Sequence, residues 1–565
     1  MKESPFVRNG KTLLSGIDPA RRAERTADAV SVRDRTLYFC PSPLYGYGLK
    51  RLVERLTAQA PNSAILCVEA DPELYELSIK SIDMSFVTGN KLRITNISSI
   101  ENLCALVRET WGMTTFRRVE TVRFSGGWQL FPQLYDSLCE LLRREIAVDW
   151  SNALTLAKLG RLYIRNALRN ISLIPDFPSI TDISFGSSPI LVLGAGPSLD
   201  ETLDALQGSF MENISPESRP FRIVCVDTCL GALKDRGIVP DLVVILESQY
   251  WNIRDFIGCR GWEVPAAVDL SALPSSVRVL SGGGCLFMTP WTPLRIFERL
   301  KEAALLPAVI PPLGSVGNTA VELARRLSSG KIICAGLDFS FSVDKFHARG
   351  TPGHRGRLNA QTRLRSIISH NYDSSSAVLS KSGLSVRSSP SLQNYRNLFE
   401  RELSFDPRLF DITGSGLPLG LKTLSMEDAL GMISGGGTGD DPSRGHGGTE
   451  GRVLTTEYTE FHGGERRERE SLKEKVLIFF DGEKRRLAEL RGILTGENAG
   501  QGRLNVLIDE CDYLWAHFPD YSGGRRPPLA EIASGNDNAL SFLKRVRAEI
   551  DPMLALLERE MGREE

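Results

Sequence analysis

Gly194, Gly196, Pro197 and Ser198 sit in one turn, Asp227, Glu247 and Asp338 each follow an apolar run, and His347 comes shortly after the last of these. Such residue types suit transfer of a group from a phosphorylated donor to a hydroxyl. Glycines lack a Cβ, so the backbone can turn sharply and lie close to a phosphate. Pro197 fits a first helical position, Ser198 offers a hydroxyl, and the amides that open a helix can hold an anion. Gly314 and Ser315 precede another helical pattern, VGNTAVELARRL, and form a second candidate cradle. The three acids, with Gln249 beside Glu247, suit ribose or base recognition, or Mg²⁺ held by one or two carboxylates plus phosphate. Capping of the helices that follow is the plainer role, and it explains Asp227 equally well. Taking a proton from the acceptor needs a base near neutrality, which favours histidine. Of the six histidines, His370, His446, His462 and His517 lie away from these runs, whereas His347 and His354 stand close behind GLDFSF, beside Arg349 and Arg355. His347 is therefore the candidate base.

The elements that must carry these residues read as alternating strands and helices. ILVL at 190–193, the run ending at Asp227, the run from Leu242 to Leu246 and KIICAGLD have the character of strands buried on both faces. Helical patterns separate them, so the strands should lie parallel, with Gly194 to Ser198, Asp227, Glu247, Gly314 and Asp338 along one edge. The fold class expected is α/β, a Rossmann-like doubly wound parallel sheet. A similar unit comes earlier: TLYFCPSPLYGYGLKRL and SAILCVEADPELY place Glu69, Ala70 and Asp71 after a second strand. A ribose could bind there in a Rossmann fold, but the GYG turn lacks GxGxxG spacing, so a scaffold without cofactor is the simpler reading. Residues 1–35 read as a tail, 36–173 as the amino-terminal Rossmann-like domain, 174–424 as the central domain, 434–452 as a Gly-rich linker and 453–565 as a helical region. Leu392, Tyr395, Leu398 and Phe399 form a stripe that suits a core.

GAGPSLD, the unit from VDT through GIVPD to ESQ, GSV before a helix, and GLDFSF followed by KFHARGT together resemble the motility-associated factor (Maf) family. Those are bacterial proteins of flagellar glycosylation whose core shares a fold with archaeal hydroxymethylpterin pyrophosphokinases. The GPS turn and the GLDF strand end are also similar to bacterial sialyltransferases. The resemblance spans roughly Pro189 to Lys422. It implies a glycosyltransferase that moves a nonulosonic, sialic-acid-like sugar from a CMP-activated donor to Ser or Thr of flagellin, with His347 as catalytic base and the Gly-rich loop around Gly414 and Gly416 near the active face. Where related proteins tend to carry Asp after the GI-x-PD strand, this chain has Glu247, which puts metal or ribose contacts there in doubt. Diphosphate transfer from ATP to a hydroxymethylpterin is the alternative the resemblance leaves open. A non-catalytic protein that handles flagellin is another, because fold does not fix function.

Composition narrows the classes further. At 565 residues the chain suggests three or four domains, and its 42% hydrophobic and 24% charged content are ordinary for a folded protein. With 68 basic and 69 acidic residues the net charge is -1, so no broad field draws it to nucleic acid or anionic lipid. No run approaches the roughly 20 apolar residues of a membrane helix. The amino-terminal sequence has no apolar h-region of a secretory signal. Ten cysteines without metal-ligand spacing read as buried thiols in a reducing, cytoplasmic setting.

Overall fold

The structure, a computed structural model, describes residues 6–87, 89–96, 100–210, 219–372, 375–434, 463–496, 501–518 and 537–562. The chain divides into two compact units: Met1–Gly160 with Ala516–Pro528, and Arg161–Trp515 with Leu529–Glu565. Of the Gly-rich segment expected as a linker at 434–452, all but Ser434 lies outside the described residues.

In the first unit, residues 6–29 are built into the fold and do not form a tail. β1 (Phe6–Arg8) and β2 (Lys11–Leu14) pair antiparallel through Asn9 and Gly10, both at positive φ, the conformation that makes Asn-Gly a hairpin turn. Asp18 then accepts the Arg21 amide and Pro19 opens α1 (Pro19–Ala29). β3 (Thr36–Pro41), α2 (Leu49–Gln59), β4 (Ala64–Glu69), α3 (Pro72–Ser81), β5 (Leu92–Asn96), α4 (Ile100–Thr110) and β6 (Arg118–Thr121) follow. Their strands form a parallel sheet in the order β5-β4-β3-β6. Apolar side chains cover both faces: Leu37, Phe39 and Leu66 belong to one core cluster, Tyr38, Ile65 and Cys67 to another. The acids expected to suit a ribose are used internally. Asp71 caps α3, while buried Glu69 accepts from Ser42 Oγ at 2.6 Å and Tyr135 Oη at 3.2 Å.

Helix α5 (Pro132–Ile171) runs through the division at Gly160. Its last turns are buried in the second unit, where Asn166 Nδ2 donates to the carbonyls of Ser248 and Ser271, and Asn170 Nδ2 to those of Leu270 and Ala272. The second unit continues with β7 (Ile190–Leu193), α6 (Leu199–Phe210), β8 (Arg222–Val226), α7 (Leu230–Asp235), β9 (Leu242–Ile245), β10 (Ala266–Asp269), α8 (Pro274–Val277), β11 (Gly284–Phe287), α9 (Arg295–Glu302), α10 (Val316–Leu327) and β12 (Ile332–Ala335). After α11 (Pro352–Asn359) and α12 (Ile367–Tyr372) an antiparallel ribbon, β13 (Ser376–Leu379) and β14 (Ser385–Ser388), leads to α13 (Pro390–Glu402), β15 (Leu409–Ile412), β16 (Lys422–Leu424) and α14 (Met426–Ser434). The sheet is parallel throughout, in the order β11-β10-β9-β8-β7-β12-β15-β16. That is the doubly wound α/β fold expected; β7, β8, β9 and β12 lead into Gly194, Asp227, Glu247 and Asp338, whereas Gly314 follows no strand and precedes α10.

The helical region after 453 groups with this sheet and not as a unit of its own. α15 (Gly463–Thr495), α16 (Gln501–Glu510) and α17 (Asp537–Met561) dock through a bidentate pair: Arg299 on α9 holds buried Glu483 at 2.6 and 2.8 Å, and Tyr513 Oη adds a third bond. All ten thiols are free and buried. No described helix is long and apolar enough to cross a membrane.

Candidate functional site

From β7 the chain adds strands outward to β11, then returns to place β12 on the other side of β7. The point where strand order reverses is where open α/β sheets bind ligands. A cavity of about 190 Å³ opens there, lined by Gly194 to Gly196, Thr228, Ser315 to Gly317, Gly336 to Ser340, Phe346, His347, Leu392 and Tyr395. Gly194, Gly196, Ser315, Asp338 and His347 are thus brought together. Leu392 and Tyr395, expected as core, line the cavity instead. Their helical spacing gave no sign of this, because a stripe facing a cleft and one facing a core look alike.

The GPS turn is not an open phosphate cradle. Gly194 N donates to Ala335 O at 2.8 Å and Gly196 N to Gly336 O at 2.8 Å. Ser198 gives its amide to Asp338 Oδ2 at 2.7 Å and its hydroxyl to Asp338 Oδ1 at 2.5 Å. Asp338, 2% exposed, therefore fills the anion position before α6. Burial raises its carboxyl pKa, opposed by the Ser198 bonds and by Lys381 and Lys345. The glycines serve close packing: a Cβ on Gly196 would lie 2.5 Å from Asp338 Oδ2, and one on Gly194 2.6 Å from Leu337 Cδ2. Pro197 lies in the turn before α6, and its carbonyl accepts Lys345 Nζ at 3.0 Å. Gly416 packs over the same acid, with Leu417 N donating to Asp338 O at 2.8 Å.

Helix α10 presents the usable donors. Ser315 Oγ caps it by accepting Asn318 N at 3.2 Å. The amides of Val316 and Gly317 open the first turn, where no carbonyl four residues back can serve them, and both residues line the cavity. Gly314 adopts φ +77, and a Cβ there would press on Tyr395 at 2.9 Å. Asn318 Nδ2 fixes that contact by donating to Leu313 O and Tyr395 O.

Asp227 is buried and fully bonded: Thr228 N donates to Oδ1 at 2.8 Å and Asn252 Nδ2 to Oδ2 at 2.6 Å. Burial pushes its pKa up to about 6. Asp227 does not line the cavity, so a ribose bound there would not reach it. Glu247 is exposed and accepts the Gln249 amide at 2.9 Å; Gln249 stands beside it, half-buried, and neither is among the residues that line the cavity. Among the described residues no three His, Cys, Asp or Glu converge as metal ligands. One acid was not foreseen. Asp255 lies in the 3₁₀ stretch Tyr250–Phe256 and accepts Thr228 Oγ1 at 3.3 Å. Burial, reinforced by Asp227, pushes its pKa up to about 7.

His347 belongs to a loop tied over the GPS turn: Ala348 N donates to Ala195 O, and Lys345 Nζ and Arg349 N both bond Asp200. Its Nδ1 is enclosed without a hydrogen-bond partner among the described residues, against Gly353. Burial, with the nearby Arg357 and His354 charges, lowers its pKa to about 4. The imidazole is neutral at neutral pH and weakly basic. Behind it a second cavity of about 320 Å³ is lined by Trp251, Arg254, Asp255, Pro352, Gly353, Gly356 and Arg357. The Arg357 guanidinium stacks over Phe346 at 4.1 Å, so the Thr228–Asp255, His347–Gly353 and Phe346–Arg357 contacts form the wall between the two cavities. Arg355 instead pairs with Asp235, away from either cavity.

Residues 163–344 match the family model described as 6-hydroxymethylpterin diphosphokinase MptE-like. An uncharacterised protein of Treponema pallidum (strain Nichols) is 31% identical over 546 residues, covering 95% of this chain and 90% of the relative. A second uncharacterised protein of the same organism is 32% identical over 123 residues, 20% of this chain and 31% of its own length. The solved structure of the MAf glycosyltransferase from Magnetospirillum magneticum AMB-1 superposes with a TM-score of 0.51 at 14% identity, covering 99% of this chain and 84% of that one, a likeness of fold. With the reversed strand order, the matched domain and a relative aligned almost end to end, this chain belongs to the Maf-like family of proteins built around an MptE-like domain.

Proposed function

We propose that the chain is a glycosyltransferase that binds a nucleotide-activated sugar in the cleft between β7 and β12. The observation that carries this reading is the amino terminus of α10 at the switch point, with Ser315, Val316 and Gly317 lining the cleft. In this reading the Ser315 hydroxyl and the Val316 and Gly317 amides hold the donor phosphate, and Glu247 and Gln249, beyond β9, contact its ribose. Gly194, Gly196, Pro197, Ser198, Asp227 and Asp338 shape the floor without touching the donor. The acceptor hydroxyl attacks the anomeric carbon and the bond from that carbon to the phosphate oxygen breaks, its electron pair staying on the nucleotide. In this reading the acceptor enters through the second cavity and gives its proton to Asp255, which lines that cavity and meets the cleft only through Thr228. His347, too weakly basic for that step, offers a neutral imidazole at the wall. The motif resemblance extends the proposal to a CMP-activated nonulosonic sugar as donor and Ser or Thr of flagellin as acceptor. No step requires a metal, although the exposed Glu247 is open to Mg²⁺ brought by the donor.

Diphosphate transfer from ATP to a hydroxymethylpterin is the second reading, supported by the description of the matched domain. Calorimetry of the full chain with CMP, CDP, ATP and hydroxymethylpterin separates the two, followed by an assay of CMP release from a CMP-nonulosonic sugar in the presence of flagellin. CMP binding and flagellin-dependent CMP release are expected. AMP and pterin diphosphate formed from ATP would replace the first reading with the second, and absence of any nucleotide binding would remove both.

A further inference from the structure

A larger cavity lies in the amino-terminal unit, and nothing in the glycosyl-transfer reading uses it. It encloses about 770 Å³ at the end of β6, between residues 12–17 and the segment from Arg123 to Gln129. The four-stranded sheet has its own reversal: β3, β4 and β5 spread to one side, and β6 returns to the other side of β3. The cavity therefore sits beyond the carboxyl end of β6, next to the switch point of that sheet. Gly126 allows the hairpin to form its wall, because Gly126 N donates to Leu13 O at 2.7 Å and a Cβ there would collide with Thr12 O.

The lining has one sign of charge. Arg22 and Arg123 are the ionisable residues among those that line it, and no carboxylate is present in that set. The Arg123 guanidinium is held over the Trp128 ring at 4.0 Å, which fixes its plane before any ligand arrives. Its pairing with Asp136 spans 3.5 Å between side chains 44% and 72% exposed, an ion pair weak enough for an incoming anion to displace. Leu14 and Ile17 supply apolar surface beside the cations, and Ile17 is 71% exposed. Two arginines, an apolar wall and this volume suit a phosphomonoester attached to a ring-bearing body.

We propose that this cavity is a binding site for a phosphomonoester of nucleotide size, its phosphate held between Arg22 and Arg123 and its ring against Leu14 and Ile17. The site is independent of the cleft between β7 and β12. AMP, ribose 5-phosphate and inorganic phosphate are titrated into the full chain while Trp fluorescence is recorded, in the wild type, in Trp128→Phe, and in the paired variants Arg22→Gln/Arg123→Gln and Arg22→Lys/Arg123→Lys. Both arginines are largely exposed, so the glutamine pair should fold, and its melting temperature checks that it does. AMP and ribose 5-phosphate should bind more tightly than phosphate, with a fluorescence change that Trp128→Phe abolishes. The glutamine pair should weaken binding at least about tenfold, and the lysine pair should retain part of it. Binding unchanged in the glutamine pair, or no binding of any probe at millimolar concentration, would overturn the proposal. Because the two cavities share no lining residue, a Ser315→Ala variant that loses nucleotide binding at the cleft leaves this fluorescence signal intact, and the two proposals fail separately.

Discussion

Gly196→Ala distinguishes a packing turn from a phosphate cradle. The added Cβ would stand 2.5 Å from Asp338 Oδ2 and 2.7 Å from Gly336 O, where real Cβ atoms essentially never come within 3.0 Å. Neither neighbour can retreat cheaply. Gly336 O accepts the Gly196 amide, and Asp338 is held by both Ser198 bonds with Gly416 behind it. Relief requires loss of the backbone bond, worth about 1 kcal/mol, or of charge-assisted bonds worth about 1.5–3 kcal/mol each. Partial relaxation keeps one of the three, so the cost should be about 3–5 kcal/mol, a large share of a typical stability of about 5–15 kcal/mol. In thermal unfolding of the full chain, that should lower the transition of the second unit by roughly 4–6 °C. Gly208→Ala is the control: it lies exposed in α6 with nothing within 4 Å of the new Cβ, and should be neutral or gain up to about 1 kcal/mol. An unchanged melting temperature for Gly196→Ala together with lost nucleotide binding would refute the packing argument and restore the turn as the phosphate site.

Asp255→Asn should cut transfer by roughly 10²–10⁴ with little change in CMP affinity, whereas His347→Ala should leave turnover within about tenfold; the reverse ranking in a CMP-release assay would return the proton to His347. The same Asp255 variant tests linkage. A carboxyl whose folded pKa is raised to about 7 stabilises the fold below its unfolded value near 3.8 and loses that contribution as pH rises through 7. The fall in stability between pH 5 and pH 8, followed by urea unfolding, should therefore be smaller in Asp255→Asn by about 1–3 kcal/mol. Lys381→Met should destabilise by about 3–5 kcal/mol, because it strands Asp411, bonded to Lys381 Nζ at 2.7 and 2.8 Å in a pair almost wholly buried. Adding Asp411→Asn should recover part of the loss, and no recovery would mean that the lysine acts through packing alone.

What was legible in the sequence follows from what each residue's environment imprints locally. β7, β8, β9 and β12 are covered on both faces, so their positions select unbroken apolar runs, and the parallel sheet could be read from those runs and the helices between them. The hairpin at Asn9-Gly10 and the Asp18-Pro19 helix start carried equally local signals, yet a charged, weakly apolar context hid them and residues 1–35 read as a tail. The helices after 453 were legible from their periodicity, but their docking onto α9 rests on Arg299 meeting Glu483, a contact between residues 184 positions apart.

The chemistry divides along the same line. Acids at strand ends were visible, because a carboxylate after an apolar run is a local pattern; whether each was available was not. Asp338 is used up by Ser198, 140 residues earlier, and Asp227 by Asn252, in an irregular stretch without periodicity. Asp255 was invisible for that reason: it lies in 3₁₀ geometry, and its shifted pKa comes from burial and from a second acid that meets it only in the folded chain. A carboxylate already bonded through both oxygens is a fixed part of the scaffold, and one left with a single long bond to a hydroxyl can still exchange a proton. By that criterion Asp255, which lines the second cavity, is the acid we propose as proton acceptor, and the conspicuous strand-end acids Asp227 and Asp338 are fixed parts of the scaffold.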